Sequence, residues 1–309
     1  MITTLTLNPA LDKTAIVEEI TLGGLNRVLE TMQSPGGKGI NVSKGLARLG
    51  NTTIALGIIA GDTGAWIAEY LSANHTPHDF VEGVGKTRTN LKVLSKSTET
   101  ITEFNEKGNP VNQEIMNRVW QKVRSYVEKS EFMVFSGSVP AGVSNNIYYE
   151  LITAFKGRTK TVLDADGILL TQGIEATPYL VKPNIHELEK LFNRTLAQEK
   201  EIIACGKELV DRGITKVLIS MGRDGSILVT ESDCYKVAPV KVAVKSTVGA
   251  GDSMVAGFVH GLSQGMQDLD ALRLSVACAM ASIMTEGPET FALETVENLL
   301  AKIQIEKVH

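Results

Sequence analysis

The chain has 309 residues, 43% of them hydrophobic, and a formal net charge of −4. That slightly acidic balance argues against nucleic-acid binding, which calls for a basic face. No apolar run approaches the ~20 residues of a membrane-spanning helix, and three cysteines without a CxxC pair argue against a disulfide framework or a zinc site. The expectation is a cytoplasmic protein with small-molecule partners.

From the N-terminus, Ile2–Leu7 reads as a strand leading to Asn8-Pro9-Ala10-Leu11-Asp12. Lys13–Ile20 and Arg27–Met32 read as a strand pair around Gly23-Gly24. Next, Pro35-Gly36-Gly37-Lys38-Gly39-Ile40-Asn41-Val42 passes from a loop into a helical pattern over Gly39–Leu49. Its glycines permit close backbone approach to a ligand, and Asn41 offers both a donor and an acceptor. The Asp12 carboxylate can accept hydrogen bonds from two adjacent sugar hydroxyls, so Asp12 with Asn41 suits a polyol. Taken singly, each feature reads as a turn followed by a cap; the length of the glycine motif and its pairing with Asp12 bring the functional reading level with it.

Thr53–Ile59 reads as a strand and Gly64–Ala73 as a helix. Gly85-Lys86-Thr87 imitates the end of a P-loop, but Phe80 stands where that motif needs its first glycine. Thr89–Leu94 and Glu99–Phe104 form a second strand pair, bounded by Gly108-Asn109-Pro110. The expected organisation is a single domain, 1–309, into which β segments 13–32 and 88–105 are inserted. Placed over the carboxyl edge of the main sheet they would act as a lid that excludes water; the alternative is a plain edge extension.

Gln113–Val127 carries Ile115, Val119, Val123 and Tyr126 at helical spacing. Strand-like Phe132–Phe135, Thr161–Leu163, Tyr179–Val181 and Lys216–Ser220 follow, with helical patterns at Glu187–Phe192 and Glu199–Arg212. This alternation predicts an α/β fold with a mostly parallel central sheet, helices on both faces, and ligands beyond the carboxyl ends of the strands.

Val248-Gly249-Ala250-Gly251-Asp252-Ser253 precedes a helix whose Val255, Phe258, Val259 and Leu262 mark one buried stripe. Glycine amides and a helix N-terminus can hold an anion there. An aspartate at that spot repels phosphate unless it takes a proton from an attacking hydroxyl, which points to phosphoryl transfer. Met254 stands where a dinucleotide fingerprint needs its third glycine, which disfavours a dehydrogenase. His75, His78, His186, His260 and His309 suggest neither a triad nor a metal cluster.

Three motifs in chain order resemble the PfkB (ribokinase-like) family of carbohydrate kinases over essentially the whole chain. They are Gly36-Gly37-Lys38-Gly39-Ile40-Asn41, Lys182-Pro183-Asn184-Ile185-His186-Glu187 and Gly249-Ala250-Gly251-Asp252. Thr6–Asp12 and Ser136-Gly137-Ser138-Val139-Pro140 are similar to its hexose-phosphate branch. Gly61-Asp62-Thr63-Gly64 and Thr102-Glu103-Phe104-Asn105-Glu106 resemble the members that act on fructose 1-phosphate.

The resemblance implies a ribokinase-like fold with a β lid, ATP as phosphoryl donor, and Mg2+. It implies Asp252 as the base and Gly249, Ala250 and Gly251 as the anion hole. Asp12, Gly36, Gly37 and Asn41 would contact the sugar. Arg88, Lys38 and an Arg27 delivered from a neighbouring subunit would hold its phosphate, with Ser136 and Ser138 as neutral donors. Asn184 and Glu187 would organise Mg2+; without the resemblance they read as a capping box. Lys182, Ser220, Gly222, Gly225 and Ala277 would line the ATP site.

The implied reaction converts fructose 1-phosphate to fructose 1,6-bisphosphate. Tagatose 6-phosphate and fructose 6-phosphate are the alternative acceptors, and a sugar-phosphate-binding regulator is the non-enzyme alternative. Exposed lid edges suggest a homodimer through the lid.

Overall fold

The computed structural model describes residues 1–238, 240–285 and 290–308. The chain opens with β1 (Ile2–Thr6), leaves for β2 (Ala10–Val17) and β3 (Val28–Gly36), and returns through α1 (Lys38–Arg48). β4 (Thr53–Ile59), α2 (Gly61–Ala73) and the short β5 (Val81–Glu82) follow. A second excursion makes β6 (Arg88–Ser95) and β7 (Thr100–Asn105), and α3 (Gln113–Val127) leads back. Then come β8 (Phe132–Ser136), α4 (Ile147–Phe155), β9 (Lys160–Asp164), α5 (Gly167–Ile174) and β10 (Leu180–Val181). α6 (Ile185–Phe192), α7 (Glu199–Asp211), β11 (Lys216–Ser220), β12 (Ser226–Thr230) and β13 (Cys234–Val237) lead to α8 (Ala250–Ser263). α9 (Asp268–Ile283), α10 (Leu293–Leu300) and β14 (Ile305–Lys307) complete the described elements.

Ten strands form the central sheet in the order β14-β13-β12-β11-β10-β9-β8-β1-β4-β5. All pairings from β11 to β5 are parallel, whereas β12, β13 and β14 extend the sheet antiparallel. One face packs with α3, α4 and α5 around Phe135, Tyr148 and Phe155; the other packs with α1, α8 and α9 around Phe132, Val255 and Phe258. The two excursions form a separate sheet in the order β3-β2-β6-β7, with β2 and β6 parallel and both outer pairs antiparallel. Among the described residues no helix is long and apolar enough to cross a membrane.

Local chemistry accounts for several boundaries. Asn112 caps α3 by accepting from the Ile115 N–H at 3.0 Å, where the periodicity predicted the helix to begin. Two boundaries differ in a way that matters. β2 starts at Ala10 and β3 runs to Gly36, so Asp12 stands inside the small sheet opposite Ser34, not at the end of the first strand. α8 begins at Ala250, so the Gly-Ala-Gly segment runs from the cap into the first turn of that helix, with Asp252 inside the turn.

Candidate active site

Successive strand residues face opposite sides of a sheet, and on the face covered by α1 and α8 the carboxyl edge ends in polar groups. Thr6, Ser136, Asp164 and Lys182 stand side by side at the ends of β1, β8, β9 and β10, with Ser220 at the end of β11 level with Asn184. One step inward on the same face are Val134, Val162 and Leu180, all in the core. The row is thus the polar rim of an apolar wall.

Two helices begin above this rim. The N-caps of α1 and α8 are Gly37 (φ 116°) and Gly249 (φ 78°), backbone conformations that favour glycine, and neither supplies a side-chain cap. First-turn amides and two positive dipole ends therefore meet at one place.

The charges between them are organised by Asp164. Its Oδ1 lies 2.9 Å from Lys38 Nζ and 3.5 Å from Lys182 Nζ. Burial alone would raise the Asp164 pKa, but the two lysines outweigh it and hold the carboxyl below its ordinary value. Burial alone would lower Lys38; Asp164 and Glu187, whose Oε1 is 4.0 Å from Lys38 Nζ, hold it above its ordinary value instead. Lys182 is 4% exposed and runs under α8, its Nζ 3.2 Å from where a Cβ on Gly251 would stand.

Asp252 is the exception in sign. It is buried, and Asn41 Nδ2 donates to its Oδ2 at 2.8 Å. Burial first and the Asp164 charge second push its pKa up to about 6, against the Asn41 bond and the two lysines. A carboxylate so tuned can receive a proton near neutral pH.

The small sheet faces the same place. Asp12 Oδ1 accepts from Asn90 Nδ2 at 2.9 Å, and Lys92 Nζ is 3.9 Å from Oδ2. A Cβ on Gly36 would stand 2.4–2.6 Å from the Asp12 carboxyl atoms, so the carboxylate occupies ground that any other residue at 36 would claim. A cavity of about 60 Å³ lies between Asp12 and Ser34 of this sheet, Asn41 of α1, and Gly249 and Ser253 of α8. Nearby, Arg88 donates from Nε (3.3 Å) and Nη2 (3.0 Å) to the Asn8 carbonyl and from Nη1 (3.0 Å) to that of Glu106. Asn8 Nδ2 in turn donates to Ser138 Oγ at 3.2 Å.

Most residues singled out in the sequence therefore converge; Ser136, Ala277 and Asn184 stand differently. Ser136 is fully buried beneath Gly39, so its hydroxyl faces the interior rather than a bound sugar. Ala277 is enclosed in the core between α8, α9 and the sheet and presents no surface to a nucleotide. Arg27, expected to serve a neighbouring subunit's site, is exposed beyond the Val17–Val28 pair, at the opposite end of the small sheet from Asp12. Asn184 does form the capping box: its Oδ1 accepts from the Glu187 N–H at 2.9 Å, and Glu187 Oε2 accepts from the Asn184 N–H at 2.8 Å.

Ser220 pairs through its backbone with Pro183, and Gly222 and Gly225 flank the short turn beside it. His309 lies outside the described residues. Asp164 escaped the sequence reading, as did Asn8 and Asn90. The only signal for Asp164 was its place at the end of a parallel strand.

Two helix ends, two lysines and a buried carboxylate that meet at one sheet edge are the makings of a group-transfer site. The model of the pfkB family carbohydrate kinases matches residues 6–295, and the chain belongs to that family. It is 35% identical over 311 residues to the 1-phosphofructokinase of Bacillus subtilis, covering 100% of both chains. It is 36% identical over 289 residues to the D-tagatose-1-phosphate kinase of Bacillus licheniformis, covering 93% of this chain and 94% of that one.

The crystal structure of phosphofructokinase-2 from Escherichia coli in complex with substrates and products superimposes with a TM-score of 0.93 at 30% identity, covering 97% and 98% of the two chains. That protein has also been solved in a form described as tetrameric and inhibited. The chain is a phosphotransferase, a sugar-phosphate kinase of the PfkB type.

Proposed function

We propose that this enzyme transfers the γ-phosphoryl group of ATP to fructose 1-phosphate, giving fructose 1,6-bisphosphate, with Asp252 as the base. The observation that carries this reading is the buried Asp252 in the first turn of α8, with a pKa pushed up to about 6, bonded to Asn41, which lines a cavity together with Asp12. The sugar hydroxyls bond to Asp12 and Asn41, and its free primary hydroxyl faces Asp252. Asp252 takes the hydroxyl proton as that oxygen attacks the γ-phosphorus and the bond to ADP breaks. The α8 amides and Lys182 stabilise the charge on the transferring group.

Arg88 uses three of its five N–H groups on backbone carbonyls, leaving two for the substrate's own phosphate, with Ser138 beside it. Mg2+ fits a donor set of this kind only as a companion of the nucleotide. Glu187 Oε1 is outside the capping box, and among the described residues no three His, Cys, Asp or Glu side chains converge as a metal cage. Glu187, steadied by Asn184, would hold the ion's water shell while the phosphates supply the direct ligands; when bound, the ion neutralises phosphate charge.

Tagatose 1-phosphate is the second acceptor, on the strength of the relative named for it; it differs from fructose 1-phosphate only in configuration at one carbon. An ADP-release assay against the 1- and 6-phosphates of fructose and tagatose tests the assignment. Fructose 1-phosphate should give the highest kcat/KM. No ADP with any of the four would point instead to a sugar-phosphate-binding regulator.

A homodimer through the small sheet completes the reading. Leu22 and Leu25 are 92% and 80% exposed and Val28 and Leu29 more than half so, an apolar group beside Arg27. Leu25→Asp should convert a dimeric mass in solution to a monomeric one; an unchanged mass, or a monomeric parent, removes the lid interface.

A further inference from the structure

Three polar atoms at the rim of the central sheet are buried and have no hydrogen-bond partner in the protein: Thr6 Oγ1, Ser136 Oγ and Asp164 Oδ2. Their residues are 2%, 0% and 1% exposed. They sit on the neighbouring strands β1, β8 and β9, at matching positions and on one face. Gly39 roofs the first two: a Cβ there would stand 2.5 Å from Thr6 Oγ1 and 3.1 Å from Ser136 Oγ. Both hydroxyls thus converge on one spot beneath the first turn of α1.

On the far side of Asp164, toward β10, Oδ1 is already held by Lys38 and Lys182. Hydroxyls on adjacent strands can bond each other directly, but these two do not. A bridging oxygen that makes hydrogen bonds of about 2.8 Å can join hydroxyls that stand about 4.5 Å apart.

We propose that a buried water molecule bridges Thr6, Ser136 and Asp164 beneath Gly39, and that through it Thr6 and Ser136 are positioning residues for the carboxylate that holds Lys38 and Lys182. The occupant is uncharged because two ammonium groups already face the single negative charge of Asp164, and a cation would be repelled. Water can accept from both hydroxyls and donate to Asp164 Oδ2, meeting the two to four bonds that buried waters make. Without it, an ionised oxygen and two hydroxyls stay desolvated and unpaired, a costly state in a low-dielectric interior. The positioning role rests on the kinase reading: Lys182 lies under the turn of α8 that would cradle the phosphoryl group, so a carboxylate free to turn would misplace it.

A high-resolution crystal structure tests the water without reference to any reaction. Density for one ordered water within hydrogen-bond reach of at least two of the three atoms is expected. A dry rim, or a direct Thr6–Ser136 bond, overturns the site.

Kinetics test the positioning role. Thr6→Val swaps the hydroxyl for a methyl of nearly the same shape and should lower kcat about tenfold while KM for the sugar phosphate stays within about twofold. Thr6→Ser, which keeps the hydroxyl, should restore kcat. Ser136→Ala should repeat the Thr6→Val result, and either variant carries the test where the other folds poorly. Full kcat in Thr6→Val and Ser136→Ala, or equal loss in Thr6→Val and Thr6→Ser, overturns positioning. If the parent enzyme phosphorylates no sugar phosphate, the kinase reading and the positioning role fall together, and the water still stands or falls on its density.

Discussion

The rim of the central sheet and the small four-stranded sheet both contribute to one site, yet they are built oppositely. At the rim, Asp164, Lys182 and Asp252 are buried and interlocked, each charge fixed by another. In the small sheet, all six residues of β7 are exposed and β3 is buried only at its Pro35-Gly36 end. Packed strands and helix ends give the fixed geometry that phosphoryl transfer needs. An exposed sheet carried on two excursions can move and can vary, which suits recognition of a sugar. The proposed reading thus puts the chemistry in the first region and discrimination in the second.

The sharpest way to break that division is at Asp252. Asp252→Ala should lower kcat by about 10²–10⁴-fold with KM little changed; a large KM effect with kcat kept would assign Asp252 to binding. In the parent enzyme kcat/KM should fall about tenfold per pH unit below a pH of about 6, since only the carboxylate accepts a proton. Next in size is Asp164→Ala, which strands two lysines at the rim and should cost about 3–5 kcal/mol in chemical denaturation. A loss under 1 kcal/mol would mean the rim is not interlocked.

On the other side of the comparison, Arg88→Ala should raise KM for the sugar phosphate roughly 10–100-fold and leave KM for ATP near its parent value. Equal rises in both would erase the distinction between the regions. The smallest effect is on stability. The folded value of Asp252, about 6, lies above its ordinary 3.8, so the folded protein binds this proton more tightly than the unfolded chain. Stability from this group is present at low pH and lost as pH rises through about 6. Asp252→Asn should therefore raise stability at pH 7 by about 1–3 kcal/mol, read as a higher Tm, and should change little at pH 4.

The two regions were also legible to different degrees. α3 was read to the residue because its apolar stripe is narrow and Asn112 announces its start. α4, with Ile147, Tyr148, Leu151, Ile152 and Phe155 buried, is too short and too apolar for its period to stand out. The antiparallel strands β12 to β14 were absent from the reading, since short β-rich runs do not declare their direction. Within the site, glycine spacing exposed Gly37, Gly249 and Asp252 because backbone demands leave a mark in sequence.

Depth leaves none. Ser136 and Ala277 look the same whether they face a ligand or a core, and only the overlying helices decide.

One short connection has a consequence for control. β3 ends at Gly36, Gly37 caps α1, and Asn41, one turn later, bonds Asp252. The small sheet and the side chain that bonds Asp252 are thus separated by a single helical turn. A tilt of β3 that reached that amide through α1 and lengthened its bond would raise the affinity of Asp252 for its proton. Under the proposed reading, occupancy of the sugar pocket and the acidity of Asp252 would be set by the same lever.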